Sequence, residues 1–174
     1  MVMTLVENNF YTIHLKRRKS ILQGIFIYAG TEWILLKYTP VDYVLDGYLL
    51  VRTKYIKTIE REENEKFSEA VINLKWKITK EDKRYDNLDS VSAILYELMH
   101  NRIMIQFDFH DDSVTFIGEI EKINTQTIRI KDIDPKGNWD GISLYKFERI
   151  RTIQFDNDYV NSLKAYNEWV NYQV

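Results

Sequence analysis

A mainly β protein with flanking helices is the expectation here, an α+β chain in which one five-stranded unit occurs twice. Three observations carry it. The chain lies on itself without a gap at a shift of 94 residues. Short runs alternate apolar and polar residues, the period of half-buried strands. With only 6 Gly and 2 Pro in 174 residues, there is little material for long flexible linkers.

The repeat comes first, because self-similarity decides the architecture. At that shift Gly24 falls on Gly118, Thr31 on Thr125, Ile34 on Ile128 and Lys37 on Lys131. Asp46-Gly47 falls on Asp140-Gly141, and Leu50, Ile56, Thr58 and Ile59 fall on Leu144, Ile150, Thr152 and Ile153. Other positions keep their character, as with Ile13 on Phe107 and Leu22 on Phe116.

Five strands follow in each copy. In the second, Ile103, Ile105, Phe107 and Phe109 alternate with polar residues, and His110-Asp111-Asp112 supplies a turn. Val114 to Ile123 continues outward with Gly118 inside it, where a strand glycine marks a sharp bend. Thr127 to Ile133, Ile142 to Phe147 and Ile150 to Phe155 complete the set, with Asp134-Pro135-Lys136-Gly137 as a strong turn signal. The first copy repeats this over Phe10–Lys16, Ser20–Tyr28, Glu32–Tyr38, Gly47–Arg52 and Tyr55–Ile59. Ile-x-x-Ile closes both copies, so Ile56, Ile59, Ile150 and Ile153 are expected in the core. Five short bent strands close most economically into a small barrel with few free edges.

Each copy is followed by an amphipathic helix. Phe67, Val71, Leu74 and Ile78 share one face of the first, and Tyr159, Leu163, Tyr166 and Val170 one face of the second, with Asp156 or Asn157 as N-cap. A further helix ahead of copy two carries Leu88, Val91, Leu95, Leu98 and Met99. The domains expected are residues 1–78, a barrel with its C-terminal helix, then a connection over 79–87, then residues 88–174, a barrel with helices before and after.

The bent strands, Gly24 and Gly118, and a basic residue ahead of Ile-x-x-Ile together resemble the Sm-like branch of the SH3-like barrels. The two glycines match that of the family's first motif. Arg52-Thr53-Lys54-Tyr55-Ile56-Lys57-Thr58-Ile59 resembles its second motif, Arg-Gly-x-x-Ile-x-x-Ile, with Thr53 in place of Gly. In copy two Lys146-Phe147 replaces Arg-Gly, and of the first motif's loop residues only Asn124 is nearby. The fold this resemblance implies is two tandem five-stranded SH3-like (Sm-like) barrels; the partner it implies is RNA. Trp139-Asp140-Gly141, the closing strand and the C-terminal helix also look like small bacterial proteins of Sm-like type.

A composition of 45% hydrophobic and 29% charged residues fits a folded chain. A net charge of −2 supplies little global attraction for phosphates. The absence of Cys excludes disulfides and thiolate metal sites. Met1–Phe10 lacks the basic flank and apolar core of a signal peptide, and no apolar run has the roughly 20 residues of a membrane span. A cytoplasmic protein without membrane contact is the expectation.

Catalytic chemistry finds little footing. His14, His100 and His110 stand in no metal-ligand spacing. There is no glycine-rich phosphate loop. The acidic run Glu60–Glu65 reads as a solvated connection, and the recurring Asp-Gly pairs read as turns. No enzyme, cofactor or metal is expected. Two features stand out instead. Lys16-Arg17-Arg18-Lys19 places four cations at the first hairpin tip, where copy two has His110-Asp111-Asp112-Ser113; ordinary turn composition and a docking site for an acidic or phosphate partner both account for it. Aromatics gather at the loops between third and fourth strands, where Tyr43 and Trp139 are the candidate partner contacts, or else lids beneath the helices. The functional expectation is a non-catalytic module that binds a protein partner, toxin neutralisation of the immunity type being one form; the alternative is an Sm-like RNA binder.

Overall fold

The computed structural model describes residues 4–76, 91–109 and 114–172. The expected connection 79–87 and the tip His110–Ser113 lie outside the described residues. Two compact units divide the chain, Met1–Val91 and Ser92–Val174. In the first the order is β1 (Phe10–Leu15), β2 (Ile21–Ala29), β3 (Trp33–Tyr38), β4 (Tyr48–Arg52), a 3-10 turn at Thr53–Tyr55, β5 (Ile56–Glu60) and α1 (Glu63–Trp76). After α2 (Val91–His100), the second runs β6 (Met104–Asp108), β7 (Thr115–Ile123), β8 (Thr127–Ile133), β9 (Trp139–Lys146), a 3-10 turn at Phe147–Arg149, β10 (Thr152–Phe155) and α3 (Asp158–Tyr172).

The two closed SH3-like barrels expected from the sequence are not formed. The described strands make open antiparallel sheet, ordered β5-β1-β2-β3-β4 within the first unit and β10-β6-β7-β8-β9 within the second. After its 3-10 turn the fifth strand of each unit pairs with the first, β5 with β1 and β10 with β6. Closure would require the fifth strand to pair with the fourth as well, and in neither unit does it do so.

Within that open sheet the duplication holds to the level of register. Tyr11 pairs with Gly24 where Ile105 pairs with Gly118, and Gly24 with Tyr38 where Gly118 pairs with Asp132. The bulge between Phe26 and Tyr28 recurs between Ile120 and Lys122. Both strand glycines have one cause: a Cβ at Gly24 would run into the carbonyl oxygen of Lys37, and one at Gly118 into that of Lys131. The closing isoleucines divide. Ile150 and Ile153 are fully buried, whereas Ile56 and Ile59 are half-buried at the margin of the first core.

The helix after each copy forms, but not on the faces its hydrophobic pattern suggests. In α1 the residues turned inward are Glu65, Glu69 and Ile72, while Phe67 and Leu74 are exposed. Hydrogen bonding decides this. Phe10 N–H donates to Glu69 Oε2 at 2.7 Å, and Thr12 Oγ1 to Glu65 Oε1 at 2.7 Å, which fixes the polar side of α1 on β1. Ile72 completes the contact in a cluster with Phe10 and Ile25. In α3 Val160 and Leu163 are the buried residues, packed with Met104, Ile117 and Ile133; Tyr159, Tyr166 and Val170 are exposed. Asn157 is the N-cap, accepting the Val160 N–H at 2.9 Å. In α2 Ile94, Leu95 and Leu98 are buried.

Candidate functional site

The basic run sits where the sequence puts it, between β1 and β2. Lys16, Arg17 and Lys19 are exposed and Arg18 is half-exposed. Arg17 takes a left-handed backbone conformation, φ 58°, which turns the chain tightly. Some of this charge is engaged locally: Lys16 Nζ donates to Lys54 O at 2.8 Å, and Arg18 Nε to Ser20 Oγ at 2.7 Å.

Tyr43 lies in a different place. Its backbone is left-handed as well, φ 59°, within the loop from β3 to β4. Its ring meets Phe67 of α1 edge-on, centroids 6.2 Å apart, and it packs with Leu45 on the Phe10–Ile25–Ile72 cluster. Lys75 Nζ reaches its carbonyl oxygen at 3.5 Å. Phe10 opens β1 and Leu15 ends it beside the basic tip. At roughly 3.3 Å per residue, Tyr43 and Lys16–Lys19 therefore belong to opposite ends of that strand and do not form one site.

Trp139 begins β9 in the second unit. It is half-buried and packed on the cluster of Met104, Ile117, Ile133, Val160 and Leu163, with Lys131 Nζ 3.7 Å from its ring centroid. The motif-like Arg52 is buried as well, 5.2 Å over the Trp33 ring and paired with Glu32 at 3.2 Å.

Two features escape sequence reasoning. One is Glu65, which belongs to an acidic run that reads as solvated but is 8% exposed. Burial pushes its pKa up; the Glu62 N–H, the Thr12 hydroxyl and nearby Arg61 outweigh that and hold it below the usual carboxylate value. Glu65 three residues after Glu62, just ahead of a helix, was the available signal, half of a capping box. The other is the exposed row on α1. Phe67 is 61% and Leu74 83% exposed, with Val71 half-buried between them and exposed Val41 in the loop that carries Tyr43.

Of the histidines, His14 Nε2 stands 3.1 Å from Glu60 Oε1 and His100 ends α2; His110 lies outside the described residues. Among the described residues no three His, Cys, Asp or Glu side chains gather as a metal site, and no helix is long and apolar enough to cross a membrane. Comparison with family models, with curated proteins and with solved structures finds no match.

Proposed function

We propose that this chain is a non-catalytic binding module for a protein partner, and that the partner docks apolar side chains on Tyr43, Phe67 and Leu74. The supporting observation is the inversion of α1: it turns two glutamates to the sheet and an apolar row to water. Exposed contiguous apolar surface is unfavourable in solution and characteristic of contact sites. Tyr43 adds a ring with a polar tip, the residue type favoured at such contacts. Neutralising a toxin by masking its surface is one role that needs such a patch and no chemistry. The cytoplasm, where thiols stay reduced, suits a chain without disulfides. In this reading the basic tip contributes electrostatic steering and Trp139 is structural.

Capture by the immobilised chain, followed by titration with the purified partner, tests the proposal. Phe67→Ser with Leu74→Ser should abolish capture of a protein that the parent retains at moderate salt. The quadruple variant Lys16→Ser, Arg17→Ser, Arg18→Ser, Lys19→Ser should still retain it. If instead the quadruple variant alone loses its ligand, and that ligand is RNA held with steep salt dependence, the RNA reading implied by the Sm-like resemblance replaces this one.

A further inference from the structure

In the second unit β9 pairs with β8 and lies at the end of the strand order, so among the described residues its other edge is unpaired. Unpaired edges are templates for another strand unless charge, proline or a bulge blunts them. From Ile142 to Lys146 the pairing with β8 is regular and the strand holds no proline; its one irregularity lies toward Trp139, near Asp140-Gly141. Phe147 donates its N–H to Gln126 O, directed at β8's side. By the alternation of an antiparallel ladder, Tyr145 and Ser143 bond in the same direction, and Ile142, Leu144 and Lys146 turn their N–H and C=O groups to the open edge.

Those same residues present a solvated face. Ile142 is 52% and Leu144 63% exposed, with Asp140 and Lys146 exposed beyond them. Asp140-x-Ile142-x-Leu144-x-Lys146 is self-complementary when reversed. Laid antiparallel on itself about Ser143, Ile142 opposes Leu144 of the second copy and Leu144 opposes its Ile142. Lys146 then comes to the end of the ladder where Asp140 of the second copy lies. Opposed residues share a face in an antiparallel pair, so the four apolar side chains would form one cluster, and Lys146 with Asp140 beyond the bulge would bring opposite charges near each end of it.

We propose that β9 is a self-association edge, and that two copies of this chain join through it in an isologous antiparallel β9–β9 ladder with a two-fold axis at Ser143. A ladder of about five residues a side is a small contact, so the dimer is reversible and concentration-dependent. The two-fold closes the assembly at two.

Sedimentation velocity over a range of concentrations up to about millimolar tests this with the full chain, circular dichroism reporting the fold. The parent should move from monomer to dimer and no further. Leu144→Lys, an exposed position, should weaken association at least tenfold with an unchanged spectrum. Lys146→Asp sets like charges opposite each other and should weaken it, whereas Asp140→Lys with Lys146→Asp restores the opposite pairs and should recover most of the loss. A parent that stays monomeric, assembles beyond two, or dimerises equally well as Leu144→Lys overturns the proposal. Failure of the charge-reversed double variant to recover, with its fold intact, overturns the register.

Discussion

Leu50 and Leu144 occupy the same place in the two copies, 94 residues apart, Leu50 opposite Leu35 of β3 and Leu144 opposite the equivalent Arg129 of β8. Leu50 is 0% exposed and Leu144 63%. The same split separates Tyr48 from Ile142. The opposite face of the sheet diverges in another way. Ile13, Leu15, Leu22 and Val51 are aliphatic and fully buried in the core of the first copy. Their counterparts Phe107, Phe109, Phe116 and Tyr145 form a ring cluster with centroids 5.1–5.7 Å apart, only Phe107 of which is fully buried. Backbone register therefore depends on few positions, chiefly a glycine and a bulge. Burial at equivalent positions is reassigned by whatever each copy packs against.

The largest test of that separation is Leu50→Ala beside Leu144→Ala. The first leaves a cavity in packed surroundings and should cost about 2–5 kcal/mol. The second should fall within about 0.5 kcal/mol of the parent. Urea denaturation of both variants gives the comparison, and equal losses would mean that β9 is covered in solution.

If register rests on the glycines, the copies should respond alike there. Gly24→Ala and Gly118→Ala each force a Cβ against a carbonyl oxygen of the adjacent strand. Each should cost about 1–3 kcal/mol, as overpacking does. Gly141→Ala meets no atom within 4 Å but must hold φ at 93°, a strain of about 1–2 kcal/mol. A thermal scan that showed Gly118→Ala harmless would break the equivalence.

Strand positions, the two glycines and the Asn157 cap were legible because each depends on local chemistry: alternation, a missing Cβ, a side-chain acceptor. Closure was not legible. Bent strands are common to barrels and open sheets, and what separates them is whether the fifth strand also pairs with the fourth. The face of α1 escapes periodicity for a related reason. Apolar periodicity at Phe67, Val71 and Leu74 was the strongest pattern available, yet Glu65 and Glu69 make hydrogen bonds to Thr12 and the Phe10 N–H that periodicity does not register. Of the candidate site, Tyr43 and the basic tip were visible as residue types; that they sit apart, and that Phe67 joins Tyr43, required the fold.

Glu65 gives a smaller and pH-dependent contrast, since its counterpart in copy two is the exposed Tyr159. Glu65→Gln weakens charge-assisted bonds from Thr12 and Glu62 and should cost about 1–3 kcal/mol. Because the folded pKa is lowered, the carboxylate's contribution is fully present above the unfolded value, 4.5, and is lost as pH falls through the lower folded one. The variant's stability should therefore fall less than the parent's on acidification. Parallel acid dependence in both would remove Glu65 from the account.

The smallest effect is spectroscopic and belongs to copy two alone. Tyr145 stands where the first copy has Val51, and its hydroxyl donates to Asp132 Oδ1 at 2.9 Å. Burial, then the hydrogen bond to and charge of Asp132, push its pKa from the ordinary 10.0 up to about 12. A raised folded pKa means that the contribution to stability is present below pH 10 and lost as pH rises through about 12. Among twelve tyrosines followed by tyrosinate absorbance, Tyr145 should contribute a late component that Tyr145→Phe removes. Asp132→Asn keeps an acceptor but removes the charge, so the component should shift down yet stay above 10, held there by burial. If Tyr145→Phe leaves the late component in place, the ring cluster is open to water, and the second copy's sheet is less sealed at this end than its ring spacings imply.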